Sequence, residues 1–114
     1  MRIKSSIFVS ALMRMENGNN AFCALLNKGA EEAGAIFIVH NRGNNLFDFY
    51  GPVPQSMFPD DQPFERFFEL LHSAVSEAEL SNKITQQLRF DPDCWVVEIE
   101  KPDPVQSFNI MKFD

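Results

Sequence analysis

Hydrophobic residues along this chain repeat at spacings that change from segment to segment, and those changes mark out its elements. From Ser6 to Met15 two templates fit. Phe8, Ala11, Leu12 and Met15 share a helical face, while Ile7, Val9, Ala11, Met13 and Met15 alternate as in a strand. Ser5 or Ser6 as an N-cap and Asn17-Gly18 as a stop tip the segment towards a short helix. Phe22 to Leu26 and Ala35 to Val39 are short apolar runs, the first ending at Asn27-Lys28-Gly29 and the second beginning after Gly34, and they predict two strands joined by a turn. A third run, Leu46 to Tyr50, follows the turn-rich Asn41-Arg42-Gly43-Asn44-Asn45 and stops at Gly51-Pro52, where proline has no N–H to give a ladder. The three strands form a β-meander.

Four prolines between Gly51 and Pro63 predict a loop that leads to a helix start at Asp60 or Asp61. Phe64, Phe67, Phe68 and Leu71 then fall on one helical face, with Glu65, Arg66 and Glu69 on the other. Ser76 and Glu79 have capping-box spacing, and Leu80, Ile84 and Leu88 give a narrow stripe for a peripheral helix running to about Arg89. Pro92 disfavours helical geometry at Asp91. Cys94 to Glu100 follows as a strand, with Trp95, Val97 and Ile99 facing the core and Val96, Glu98 and Glu100 on a wet side. Pro102 and Pro104 take the chain out of the sheet, so 102–114 reads as a C-terminal tail. The expected fold is a single α+β domain over 1–101. It holds a four-stranded, mainly antiparallel sheet, the β-meander plus a C-terminal strand, packed on two or three helices.

Composition supports a self-contained core, since 114 residues that are 45% hydrophobic bury enough surface without disulfide or metal staples. Twelve Phe against one Tyr and one Trp make most of the aromatic surface core material without a polar handle. A net charge of -6 works against nucleic acid and anionic membrane surfaces, which select clustered Lys and Arg. Cys23 and Cys94 lack CxxC spacing and read as free, buried thiols. The start, Met1-Arg-Ile-Lys before the apolar Ile7 to Met13, superficially copies a signal peptide. Arg14 and Glu16 interrupt it, so the segment is read as part of the fold and the protein as cytoplasmic. No stretch approaches the length of a membrane span.

Several segments resemble a known family. They are Phe90-Asp91-Pro92-Asp93-x-Trp95-Val96-Val97-Glu98-Ile99-Glu100, Gly29-x-x-x-Ala33-Gly34-Ala35-Ile36-Phe37, Tyr50-Gly51-Pro52 and Ser10-Ala11-Leu12-x-Arg14. In this order, over about residues 2 to 101, they are similar to a small alphaproteobacterial family catalogued as a domain of unknown function. The resemblance implies a bacterial cytosolic setting and brings no activity, cofactor or partner with it.

Candidate chemistry is sparse. Asp91 and Asp93 follow a helix C-terminus, where negative charge opposes the macrodipole. Side chains at i and i+2 in extended chain face the same way and suit a metal or a general-base pair. Asp-Pro-Asp is also ordinary turn chemistry, in which an Asp side chain bonds nearby N–H groups and Arg89 or another Arg supplies counter-charge; this reading is favoured. If Lys28 pairs with Ala35, Cys23 lies across from His40, a pairing that a one-residue slip destroys. His72 reads as a solvated cap near a helix end. Trp95 is in phase with Val97 and Ile99, which makes it core, with Nε1–H on a loop carbonyl. Tyr50 sits beside Asp48, and Tyr50-Gly51-Pro52 is a candidate groove lining. No phosphate loop, nucleophile elbow or zinc-protease helix is present.

Two functional expectations follow. The first is a non-catalytic binding or adaptor module that acts through protein–protein contacts and needs no cofactor. An uncovered strand edge or the tail allows a homodimer. The alternative is a small enzyme or ligand-binding protein whose site gathers Arg14, Tyr50, Asp91, Asp93 and Trp95 around the loop before the last strand. Neither expectation assigns a catalytic group or a metal ligand.

Overall fold

The structure is a computed structural model that describes residues 3–59, 61 and 65–113. The first amphipathic stretch is a helix, α1 (Ser5–Gly18), with Val9, Leu12 and Glu16 on its buried side. Its start is not capped by a serine side chain as the sequence suggests. The backbone N–H groups of Ser5 and Ser6 donate to the carbonyls of Glu32 and Glu31, both at 3.0 Å, and Ser5 Oγ donates to Gly34 O at 2.7 Å. The orphan donors of the first turn are satisfied by a loop distant in sequence.

Six strands follow among the described residues: β1 (Phe22–Asn27), β2 (Ile36–Gly43), β3 (Leu46–Pro52), β4 (Phe67–Val75), β5 (Trp95–Glu100) and β6 (Asn109–Ile110). A 3₁₀ turn, Gln55–Met57, lies between β3 and β4, and a second helix, α2 (Glu77–Phe90), lies between β4 and β5. They form one sheet in the order β1-β5-β2-β3-β4-β6. The β5–β2 and β4–β6 pairs are parallel and the others antiparallel. The α+β class stands, while the expected four-stranded, mainly antiparallel sheet is replaced by a mixed six-stranded one.

The β2–β3 hairpin forms as its turn residues predict, with Gly43, Asn44 and Asn45 at φ 88, 55 and 59, a region that glycine and asparagine tolerate. The hairpin expected between β1 and β2 does not form, because β5 lies between them. Cys23 and His40 therefore do not face each other; both are register partners of Ile99, one from each side.

The helix expected over Phe64 to Leu71 is the largest correction. Phe64 and one of its two expected starts, Asp60, lie outside the described residues, and the chain from Phe67 to Val75 is strand β4. Phe67 packs with Val53 and Phe58, while Phe68 enters a separate cluster with Ile36, Ile38 and Trp95. Adjacent rings buried on opposite faces of a strand leave the same trace in sequence as the i, i+1 pair of a helical stripe. His72 accordingly sits on this strand, stacked on Phe49 at 6.2 Å, and not at a helix end. Ser76 caps α2 as expected, Glu79 N donating to its Oγ at 3.2 Å, while the Glu79 carboxylate takes the Ser76 hydroxyl at 3.3 Å in place of the backbone bond of a full capping box, and α2 buries Leu80.

Both faces of the sheet are covered. On one, Val9 and Leu12 of α1 pack on Ile36, Ile38, Trp95, Val97 and Ile99. On the other, Leu80 of α2 packs on Phe37, Val39, Phe47, Phe49, Cys94 and Val96. The side of β5 expected to be wet is thus closed at Val96, which is 0% exposed. The stretch that composition sets apart as a tail returns to the core, burying Val105 and Phe108 and pairing β6 with Phe67 and Phe68.

The loop from Asn27 to Gly34 interlocks with the turn that opens β5. Trp95 Nε1–H donates to Ala30 O, Asn27 Nδ2 to Cys94 O and Ala30 N–H to Asp93 O, each at 2.8 Å. The Trp95 bond to a loop carbonyl is the one expected from sequence. A Cβ at Gly29 would collide with the Asp93 carbonyl oxygen and with Trp95 Cδ1. Gly29→Ala is expected to destabilise by about 1–3 kcal/mol, as overpacking does, whereas Gly18→Ala, with open space around it, leaves stability unchanged or slightly higher. Urea unfolding followed by circular dichroism separates the two.

Candidate functional site

Strand alternation brings His40 of β2 and Asp48 and Tyr50 of β3 to one face of the sheet, and cross-strand register pairs His40 with Asp48 and Ile38 with Tyr50. Arg42, at the irregular end of β2, reaches the same place. These four side chains and Leu70 of β4 line a half-open cavity of about 770 Å³, which the C-terminal segment closes with Pro102, Pro104, Val105 and 110–113. Glu69 and Lys112 add one charge of each sign to the lining.

The polar floor is organised around Asp48, which is 7% exposed. Its Oδ1 accepts from Ala74 N–H at 2.8 Å and Ser73 Oγ at 3.4 Å. Ala74 sits at φ 54, a costly conformation for a non-glycine residue, and the β4 irregularity that holds it there aims its N–H at the carboxylate. Asp48 Oδ2 lies 3.5 Å from Arg42 Nε and 3.9 Å from His40 Nδ1. His40 Nε2 is 3.0 Å from the Lys101 carbonyl, which only accepts, so Nε2 is the donor in this contact. Tyr50 packs edge-on against Phe108, with ring centroids 5.2 Å apart. Burial first, and the Asp48 charge second, push its phenol above the ordinary value of 10.0, against a smaller opposing effect of Arg42.

Behind the floor, α1 meets the end of β5. Glu16 is 1% exposed near the helix C-terminus, where a negative charge is unfavourable and the last turn carries no basic residue. Lys101 supplies the counter-charge, its Nζ 2.7 Å from Glu16 Oε1. The contact lacks hydrogen-bond direction, so charge holds it. Burial and the Glu16 charge push the Cys23 thiol up, and burial followed by Asp91 does the same to Cys94, so both thiols favour the protonated, weakly nucleophilic form.

Of the residues expected at a site, Tyr50 lines the cavity and Arg14, Asp91, Asp93 and Trp95 do not. Arg14 is exposed on α1. Asp91 Oδ1 accepts from Asp93 N–H at 3.0 Å within the turn interlocked with the 27–34 loop. Trp95 is buried in the core at 4% exposure. Arg42, Asp48, Glu16 and Lys101 were not singled out as site residues by the sequence. The signal for Asp48 was present, a carboxylate between Phe47 and Phe49 in a strand whose two faces are both buried. Among the described residues no group of three or more His, Cys, Asp or Glu side chains is placed to hold a metal ion. No described helix is long and apolar enough to cross a membrane.

Residues 3–109 match the family model described as Protein of unknown function (DUF1491). The chain belongs to the DUF1491 family. The solution structure of protein Atu0922 from A. tumefaciens is similar at 38% identity and a TM-score of 0.84, over 100% of this chain and 98% of that one. The crystal structure of a DUF1491 family protein from Caulobacter crescentus CB15 is similar at 25% identity and a TM-score of 0.78, over 98% of this chain and 100% of the other. An NMR structure of a DUF1491 family protein from the same organism gives 27% identity and a TM-score of 0.77, over 98% and 99%. No curated protein matches the chain. The DUF1491 match takes in the whole cavity floor and the interlocked loop and turn.

Two outcomes test this electrostatic description. Glu16→Gln leaves the Lys101 ammonium half-buried without its counter-charge and is expected to cost about 3–5 kcal/mol, most of which Glu16→Gln with Lys101→Met restores, as read by urea unfolding. Tyr50 is the one tyrosine, so tyrosinate absorbance titrates it alone, with a midpoint expected above 10.0. The fold holds the protonated phenol, so its contribution to stability is full below pH 10.0 and is lost as pH rises through the folded value. The alkaline fall in melting temperature should be shallower in Tyr50→Phe.

Proposed function

We propose that this DUF1491 protein is a non-catalytic binding module that takes a ligand with an apolar body into the cavity beneath its C-terminal segment. The observation that carries the reading is the cavity itself, about 770 Å³, within the range of small-ligand sites, with apolar walls and a few fixed polar groups on its floor. Asp48 is engaged by Ala74, Ser73, Arg42 and His40, an arrangement suited to orienting a ligand. Neither thiol lines the cavity, and both favour the protonated form, which argues for holding a ligand over attacking one. The reading includes a cytoplasmic setting, where free thiols such as Cys23 and Cys94 stay reduced.

A second reading, the adaptor, is favoured by β1. This strand sits at the sheet edge with no charged residue and no proline, and it exposes Phe22, Leu25 and Leu26. Edges of this kind pair with other chains.

One experiment separates the readings. Small amphipathic compounds are screened for a concentration-dependent rise in melting temperature, which at a hundredfold excess over Kd reflects about 2.7 kcal/mol. Compounds that bind the native protein should lose their effect in Leu70→Trp, which fills the cavity from an exposed position. Binding that survives Leu70→Trp and disappears in Leu25→Lys belongs to the β1 edge. If no compound stabilises the native protein, the cavity reading fails.

A further inference from the structure

Arg42 is a cation on the cavity floor. Its guanidinium turns the buried Nε towards Asp48 Oδ2 at 3.5 Å, while the side chain is 34% exposed and lines the cavity, and no described residue hydrogen-bonds its terminal nitrogens. A guanidinium presents five donors in a planar fork that matches a carboxylate. Tyr50 Oη also has no hydrogen-bond partner among the described residues, and burial beside Asp48 keeps its proton in place as a donor. The polar groups on this floor that still lack partners can therefore both donate, and the guanidinium can do nothing else. The carboxylate beside them is taken, with Asp48 engaged by the Ala74 and Ser73 donors and the Arg42 guanidinium.

Resting on the cavity reading above, we infer that the ligand carries a single carboxylate, docked on Arg42 and Tyr50, with its apolar body against Leu70, Val105, Ile110 and Met111. A single negative charge fits better than a phosphate dianion. Asp48 lies on the same floor, Lys112 offsets Glu69 on the wall, and the chain carries a net charge of -6, so a second negative charge meets repulsion that the first, held by the fork, escapes. A small aliphatic acid and the C-terminus of a peptide ending in an apolar residue share this chemistry.

The test uses the full chain at neutral pH and calorimetric titration with four probes. They are octanoate, octan-1-ol, a tetrapeptide acid ending in leucine, and its C-terminal amide. One acid should bind at least about tenfold more tightly than its uncharged counterpart, the equivalent of about 1.4 kcal/mol. Arg42→Gln should erase that ratio and Arg42→Lys retain part of it, with circular dichroism confirming that both fold. A preference for octanoate assigns the source to a small acid, and a preference for the peptide acid assigns it to a chain terminus. Equal affinity within each pair, still abolished by Leu70→Trp, overturns the carboxylate and leaves the cavity reading standing. No binding by any of the four, while other compounds in the screen stabilise the protein through the cavity, also overturns the carboxylate alone.

Discussion

Strand β5 is hydrogen-bonded to β1 along one edge and to β2 along the other, and it is buried on both faces. Val96, Val97 and Ile99 are 0% exposed, and each such side chain contributes on the order of 1.5–3 kcal/mol when fully removed from water. The helices close the two faces, α1 over Trp95, Val97 and Ile99, and α2 seated on β3 and completing the cluster that holds Cys94 and Val96. A strand buried in this way needs its register set at one end. The interlock of the 27–34 loop with the turn before Trp95 does this, using a glycine where any side chain would strike backbone. The two longest segments of family resemblance, around Gly29-Gly34 and Asp91-Trp95, are the two halves of this joint.

The far end of β5 builds the cavity. Lys101 follows the strand directly, and three of its groups act: the ammonium neutralises Glu16, the carbonyl orders His40, and the N–H donates to Asn41 O at 3.0 Å. Pro102 and Pro104 then turn the chain out of the sheet, as the sequence indicates, and Val105 and Phe108 bring it back over the face that carries Tyr50. The cavity is thus bounded below by a strand pair local in sequence, β2 with β3, and above by chain that follows β5. Loop closure costs more for the parallel β2–β5 pair, which spans β3, β4 and α2, than for the β2–β3 hairpin.

Local signals were readable where one chemical rule decided the outcome. Ser76 and Glu79 start α2, Asn44 and Asn45 turn the β2–β3 hairpin, and Trp95 takes a loop carbonyl. They failed where a segment is apolar on two sides. Phe67 and Phe68 each serve a different cluster, so the spacing of rings from Phe64 to Leu71 imitates a helical face that does not exist. The same ambiguity hid the second buried face of β5. The site was legible only in part. Tyr50 beside Asp48 could be read from alternation, but Arg42 and Lys101 join it through an irregular strand end and a strand insertion that leave no local trace.

The sequence by itself determined the class of the protein, the positions of α2 and of four of the strands, and a core built on phenylalanine, and it only inclined 6–15 towards a helix, because helix caps, turn residues and side-chain alternation act over a few residues. Tertiary structure alone decided which strands are neighbours, that 67–75 is extended, and that the C-terminal segment roofs a cavity. Those outcomes depend on burying apolar surface between segments far apart in the chain. Such burial is non-directional and constrains area more than partner, so the pairing emerges only when all the faces are closed together.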